Sequence, residues 1–172
     1  MKALCAFLLL TILASPLIAA DTWVFLGDSL TVATIGNGAS FKAEVKAAYG
    51  VDIEVQNTSR VGKHSYEYVK EIDSILRKYP TAKYFPFMIG TNDVLHYSES
   101  KAKWLRGHLV TVLDKIKAAG RVPILFRIPF RKYQGGDPLA AFNTKVYDPL
   151  IAKYSPQWYD KGNNKGLLDM HS

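Results

Sequence analysis

The sequence predicts an α/β fold: a parallel sheet covered on both faces by helices, in three layers. Two observations carry this. Short apolar runs that end in turn residues alternate with longer stretches of helical periodicity. No repeat, low-complexity tract or Pro/Ser-rich linker interrupts the alternation, so the chain past its first twenty residues reads as one domain, 21–172.

The first strand is expected over Trp23–Leu26, running into Gly27-Asp28-Ser29, and the second over Val51–Val55 before Asn57-Thr58-Ser59. A third spans Tyr84–Ile89 before Gly90-Thr91-Asn92-Asp93, a fourth Val122–Ile128 before Pro129, and a fifth Gly166–Leu168 before Asp169. Between them, helices are expected at 39–49 and 65–79, the latter with Val69, Ile72, Leu76 and Tyr79 on one face. A third covers 98–119 with Leu105, Leu109, Val112 and Ile116 inward and Gly120 as its stop, and a fourth 138–154. Pro86 conflicts with a central strand because it has no N–H for the ladder, so it is expected near the strand's start or at a bulge. Functional loops of such a sheet lie at the carboxyl ends of its strands.

Residues 1–20 carry Lys2, an apolar run from Ala3 to Leu13, a Ser15-Pro16 break and Ala19-Ala20 before the polar Asp21. This is the pattern of a signal peptide, with a run too short to span a bilayer, and it implies export to a periplasm or to the outside. The one cysteine, Cys5, falls inside that leader, so the mature chain has no disulfide, no thiolate metal site and no cysteine nucleophile. Of 172 residues, 48% are apolar and 22% charged, the balance of a globular protein with a core rather than of a disordered or collagen-like one. The formal charge of +7 comes from scattered lysines and arginines without an aromatic-basic run, which argues against nucleic acid. In an exported protein such a field favours encounter with anionic envelope polymers or lipid head groups.

Ser29 follows the first strand where the chain turns into a helix, a position that suits a nucleophile but equally a helix cap. The later loops decide between the two. Gly27-Asp28-Ser29-Leu30-Thr31, the Asn57-Thr58-Ser59-Arg60-Val61-Gly62-Lys63-His64-Ser65 loop and Gly90-Thr91-Asn92-Asp93 together resemble the blocks of the GDSL, or SGNH, hydrolases, in order and spacing. The resemblance implies a flavodoxin-like sheet of strand order 2-1-3-4-5 and a serine esterase that uses no cofactor or metal and acts on a small-molecule, lipid or carbohydrate ester. Ser29 would be the nucleophile. The Ser29 and Gly62 backbone N–H groups and the Asn92 amide would form the oxyanion hole. Glycine at 62 would allow close backbone approach, and Asp28 and Asp93 would brace their loops.

The family's last block, Asp-x-x-His, supplies a base and its orienter. Here the chain ends Leu167-Leu168-Asp169-Met170-His171-Ser172, with Asp169 two positions before His171 instead of three. Either His171 is the base of a shortened motif, or this segment is the fifth strand and its exit. In the second case the family's strand order puts it roughly 14 Å from strand one, beyond reach of Ser29. The chain is then expected to lack the Asp-x-x-His block and a closing helix, and to be a weak catalyst or none. A non-catalytic SGNH-like domain that binds carbohydrate is the alternative function. His64 and His96 sit on functional loops, where they could line a pocket or simply be solvated; His108 is expected to be partly packed within its helix.

Overall fold

The computed structural model describes residues 20–93, 98–129 and 140–155. The expected fifth strand, His96, Asp169, His171 and all of the leader but Ala20 lie outside them. Four strands, β1 (Asp21–Gly27), β2 (Ile53–Asn57), β3 (Tyr84–Met88) and β4 (Val122–Leu125), form a parallel sheet in the order β2-β1-β3-β4. This is the expected order for the strands described. Six helices accompany them: α1 (Ser29–Ile35), α2 (Ala39–Tyr49), α3 (Ser65–Lys78), α4 (Glu99–Ala118), α5 (Ala140–Phe142) and α6 (Asp148–Tyr154).

Alternation along each strand divides the core in two. Val24 and Leu26 of β1, with Phe85 and Phe87 of β3, pack with α3, α4 and α6. Phe25 of β1, with Ile53 and Val55 of β2, packs with Ile35, Phe41 and Val45 of α1 and α2 on the other face. Strands buried on both sides are what a parallel sheet requires.

Several elements depart from expectation for identifiable reasons. β2 begins two residues late because Gly50, at φ +71°, caps α2 and leaves Val51 and Asp52 as an exposed link. On α3 the fully buried positions are Ser65, Tyr68 and Ile72, joined by Ile75, while Val69, Leu76 and the C-cap Tyr79 pack at the margin. The stripe is rotated because Tyr68 goes inward, where its hydroxyl finds backbone partners. Pro86 is neither at the start of β3 nor at a bulge: it is the third residue of a central strand, in unbroken register with Ile124 of β4. Its missing N–H faces β1, where pairing runs from Trp23↔Tyr84 to Leu26↔Phe87 and omits the pairs between.

The expected helix over 138–154 is split by a π-helical stretch, Asn143–Tyr147. Pro149, just inside α6, has no N–H to donate, and its ring would press on the Lys145 carbonyl in a regular α-turn. The chain widens there, and that carbonyl accepts from Arg106 Nη2 instead. Asn143 then clamps the exit of β4, accepting from Ile128 N–H at 3.0 Å and donating to its carbonyl at 2.8 Å.

Candidate active site

Three loops leave the carboxyl ends of adjacent strands and carry the candidate residues. At the first, Asp28 caps α1: its Oδ1 accepts from Leu30 N–H at 3.0 Å. Ser29 is the first residue of the helix and not its cap, so the helix start asks nothing of the Ser29 hydroxyl. Gly27 lies under this turn, and a Cβ there would overlap the Thr31 hydroxyl and come within 2.7 Å of the Met88 carbonyl oxygen. Glycine is therefore required where β1 and β3 meet the loop.

The second loop is pinned to the first. Thr58 donates to the Phe25 carbonyl from both its N–H and its hydroxyl, each at 2.9 Å, and Arg60 N–H reaches the Gly27 carbonyl at 3.4 Å. Tyr68, buried beneath, accepts from Gly27 N–H at 2.6 Å and donates to the Gly27 carbonyl at 2.8 Å. Burial raises its phenol well above the ordinary value of 10.0. Arg60–Lys63 is a turn closed by Lys63 N–H to the Arg60 carbonyl at 3.3 Å. Gly62 occupies its third position at φ +75°, the left-handed conformation that favours glycine. Nothing lies within 4 Å of where a Gly62 Cβ would stand, so within the protein this glycine answers to its backbone angle and not to crowding.

The third loop joins both others. Thr91 Oγ1 donates to Asp28 Oδ2 in a buried hydrogen bond. Asn92 Nδ2 donates to the Lys63 carbonyl at 3.0 Å, and Asp93 accepts from Ser65 N–H at 3.1 Å and from Ser65 Oγ at 2.8 Å. Asp28 and Asp93 thus brace loops, as expected. Ser29, Gly62 and Asn92 stand on three loops interlocked by these bonds, and Ser29 and Asn92 are half-buried while Gly62 is exposed.

The electrostatics follow from burial. Desolvation raises the Asp93 carboxyl above its ordinary 3.8, against the Ser65 hydrogen bonds and the charges of His64 and His108. His64 Nδ1 lies 3.7 Å from Asp93 Oδ1. His108, partly packed as expected, places Nδ1 2.9 Å from Ser65 Oγ with its ring against Trp104; burial holds it below 6.5, opposed by Asp93. Lys63 is buried, its Nζ 2.6 Å from Glu71 Oε2 and 3.7 Å from the centre of the Tyr68 ring. Desolvation holds its ammonium below 10.5 despite Glu71. An open cleft of about 410 Å³ lies beside Asp93, lined also by Ser100, Lys101 and Trp104.

Sequence reading missed Tyr68, Thr91 and the Ser65–His108 contact. Only Tyr68 carried a signal, an aromatic within reach of the inward helical stripe. Lys63 reads as one more solvated loop lysine, and its burial is a tertiary fact.

No protein-family model matches the sequence, and no curated protein does. Solved structures do. A psychrotrophic esterase, EstA from Pseudoalteromonas sp., aligns with a TM-score of 0.62 at 21% identity, over 78% of this chain and 73% of that one. AlinE4, described as an SGNH-hydrolase family esterase, gives 0.61 at 21%, over 78% and 72%. A GDSL-like lipase from Bacteroides thetaiotaomicron gives 0.58 at 16%, over 90% and 78%. At such identities the likeness is one of fold: this chain has the α/β fold of the SGNH hydrolases.

Proposed function

We propose that the protein is an exported SGNH-type serine esterase that hydrolyses an ester or O-acyl bond of a lipid or envelope carbohydrate. One observation carries the reading: Ser29, Gly62 and Asn92 stand on three interlocked loops at the carboxyl ends of neighbouring strands. Ester hydrolysis needs an attacking oxygen and fixed donors where negative charge develops. In this reading Ser29 Oγ attacks the carbonyl carbon, and the carbonyl electrons move onto its oxygen. The Ser29 and Gly62 N–H groups and the second amide hydrogen of Asn92 receive that oxygen; the first is held by the Lys63 carbonyl. The tetrahedral centre collapses and the alkoxy group leaves as an alcohol with the proton taken from Ser29; water then attacks the acyl carbon, releases the acid and returns a proton to Ser29. The resemblance assigns the Ser29 proton to a histidine of the last block, and His171, the candidate at that place in the sequence, lies outside the described residues. Export rests on the leader at 1–20, and the charge of +6 that remains without Lys2 suits an anionic envelope.

The test is hydrolysis of p-nitrophenyl acetate by the purified chain. A rate above buffer that disappears in Ser29→Ala is expected, since acyl transfer through the serine is the step the reading assigns. A rate that Ser29→Ala leaves unchanged would overturn the reading.

A further inference from the structure

We propose that Lys63 and Glu71 are positioning residues that hold the two oxyanion donors of the second and third loops, an inference that rests on the esterase reading. The Gly62 turn is pinned at both ends to one carboxylate. Arg60 Nη2 lies 2.7 Å from Glu71 Oε1, and Lys63 Nζ lies 2.6 Å from Glu71 Oε2. Val61 and Gly62, both exposed, are held out between those two anchors.

Lys63 engages the site through three separate groups. Its N–H closes the turn that puts Gly62 at φ +75°. Its carbonyl oxygen accepts from Asn92 Nδ2 and so orients the third loop's donor. Its side chain is 1% exposed, and its ammonium ties both to α3 through Glu71, seated over the same Tyr68 ring whose hydroxyl clamps Gly27 below Ser29. A lysine that served only to attach loop to helix could keep its charge in water at little cost. Taking the ammonium out of water is expensive and is offset only by a close, well-placed partner. Burial therefore gains geometry: a misplacement of about 1 Å can cost roughly 100-fold in rate.

An anchor for donors and a prop for the fold make opposite forecasts for Lys63→Met. Methionine fills the place of the apolar stem, and Glu71, partly exposed, keeps Arg60 and water, so no unpaired charge is left buried and stability should fall only slightly. The experiment uses the full chain and an alkyl fluorophosphonate, whose P=O oxygen needs the same donors. Adduct formation on Ser29 is followed by intact mass, and amide hydrogen exchange is followed at Gly62. The expected result for Lys63→Met is a thermal midpoint close to wild type, a maximal labelling rate lower by roughly 10- to 100-fold with unchanged probe affinity, and faster exchange at Gly62. Glu71→Gln should show a smaller loss of the same kind. A folded Lys63→Met that labels and exchanges like wild type overturns the proposal. Should that variant not fold, a folded Glu71→Gln with wild-type labelling and exchange overturns it equally. If wild type takes no label at Ser29 while Gly62 exchange still rises in Lys63→Met, the esterase reading fails and the anchoring of the turn stands.

Discussion

The side-chain amide of Asn92 donates to the carbonyl oxygen of Lys63 at 3.0 Å, which joins the loop after β3 to the loop after β2. An amide has two hydrogens, and this bond aims the other by holding the first. In the esterase reading the aim matters mainly in the transition state. Asn92→Ala should therefore lower turnover on p-nitrophenyl acetate by about 100- to 1,000-fold and leave the Michaelis constant nearly unchanged. A loss confined to the Michaelis constant would make Asn92 a ground-state binding residue.

Tyr68→Phe tests the clamp under Ser29. The ring remains beneath Lys63, while the hydroxyl that serves Gly27 N–H and carbonyl is lost. Leaving those buried groups unpaired should cost about 1–3 kcal/mol in urea unfolding. An unchanged unfolding free energy would mean that Gly27 finds other partners.

Gly27→Ala should be destabilising by about 1–3 kcal/mol, because the new methyl meets the Thr31 side chain and the Met88 carbonyl. Combining it with Thr31→Ala should recover part of the loss and not all of it, since the Cβ of residue 31 and the backbone oxygen of Met88 stay. A double variant no more stable than Gly27→Ala alone would place the conflict at the Cβ of residue 31 and the Met88 carbonyl, and not at the Thr31 hydroxyl.

Asp93 should give a pH signature. Its folded carboxyl titrates above 3.8, chiefly through desolvation, so the folded state binds more protons than the unfolded one between the two values. Its contribution to stability is fully present below the unfolded pKa and is lost as pH rises through the folded one. The stability of wild type relative to Asp93→Asn, from denaturant unfolding at a series of acid pH values, should fall across that window and then level. A relative stability that grows with pH would contradict the raised carboxyl.

The strands and the candidate site loops were legible because most strands are short apolar runs that stop at a cluster of Gly, Asn, Asp or Ser; the strand order was legible only through the resemblance of those loops to the SGNH hydrolases. Ser29 and Asn92 lie in the clusters that close the first and third runs; they and Gly62, on the longer loop after the second, were singled out by the family resemblance of those loops. What was not legible depends on distant partners. A lysine after Gly62 reads as solvated until Glu71, eight residues on, is folded against it. Thr91 says nothing of Asp28 until β1 and β3 pair. Pro149 did carry a local warning: a proline within an expected helix foretells a disturbance, and the π-helical stretch before it is the form taken here. Pro86 ran the other way, since a proline was expected to avoid the middle of β3 and the sheet simply omits pairs with β1 beside it.

The most direct measurement of the central claim is the mass of the purified chain after prolonged incubation with an alkyl fluorophosphonate, followed by peptide mapping. Phosphonylation consumes one turnover and needs no water step, so it reports the nucleophile and its donors even in a slow catalyst. The account predicts a single adduct on the peptide that contains Ser29, absent from Ser29→Ala. An adduct on any other residue, or an unmodified chain, would contradict it.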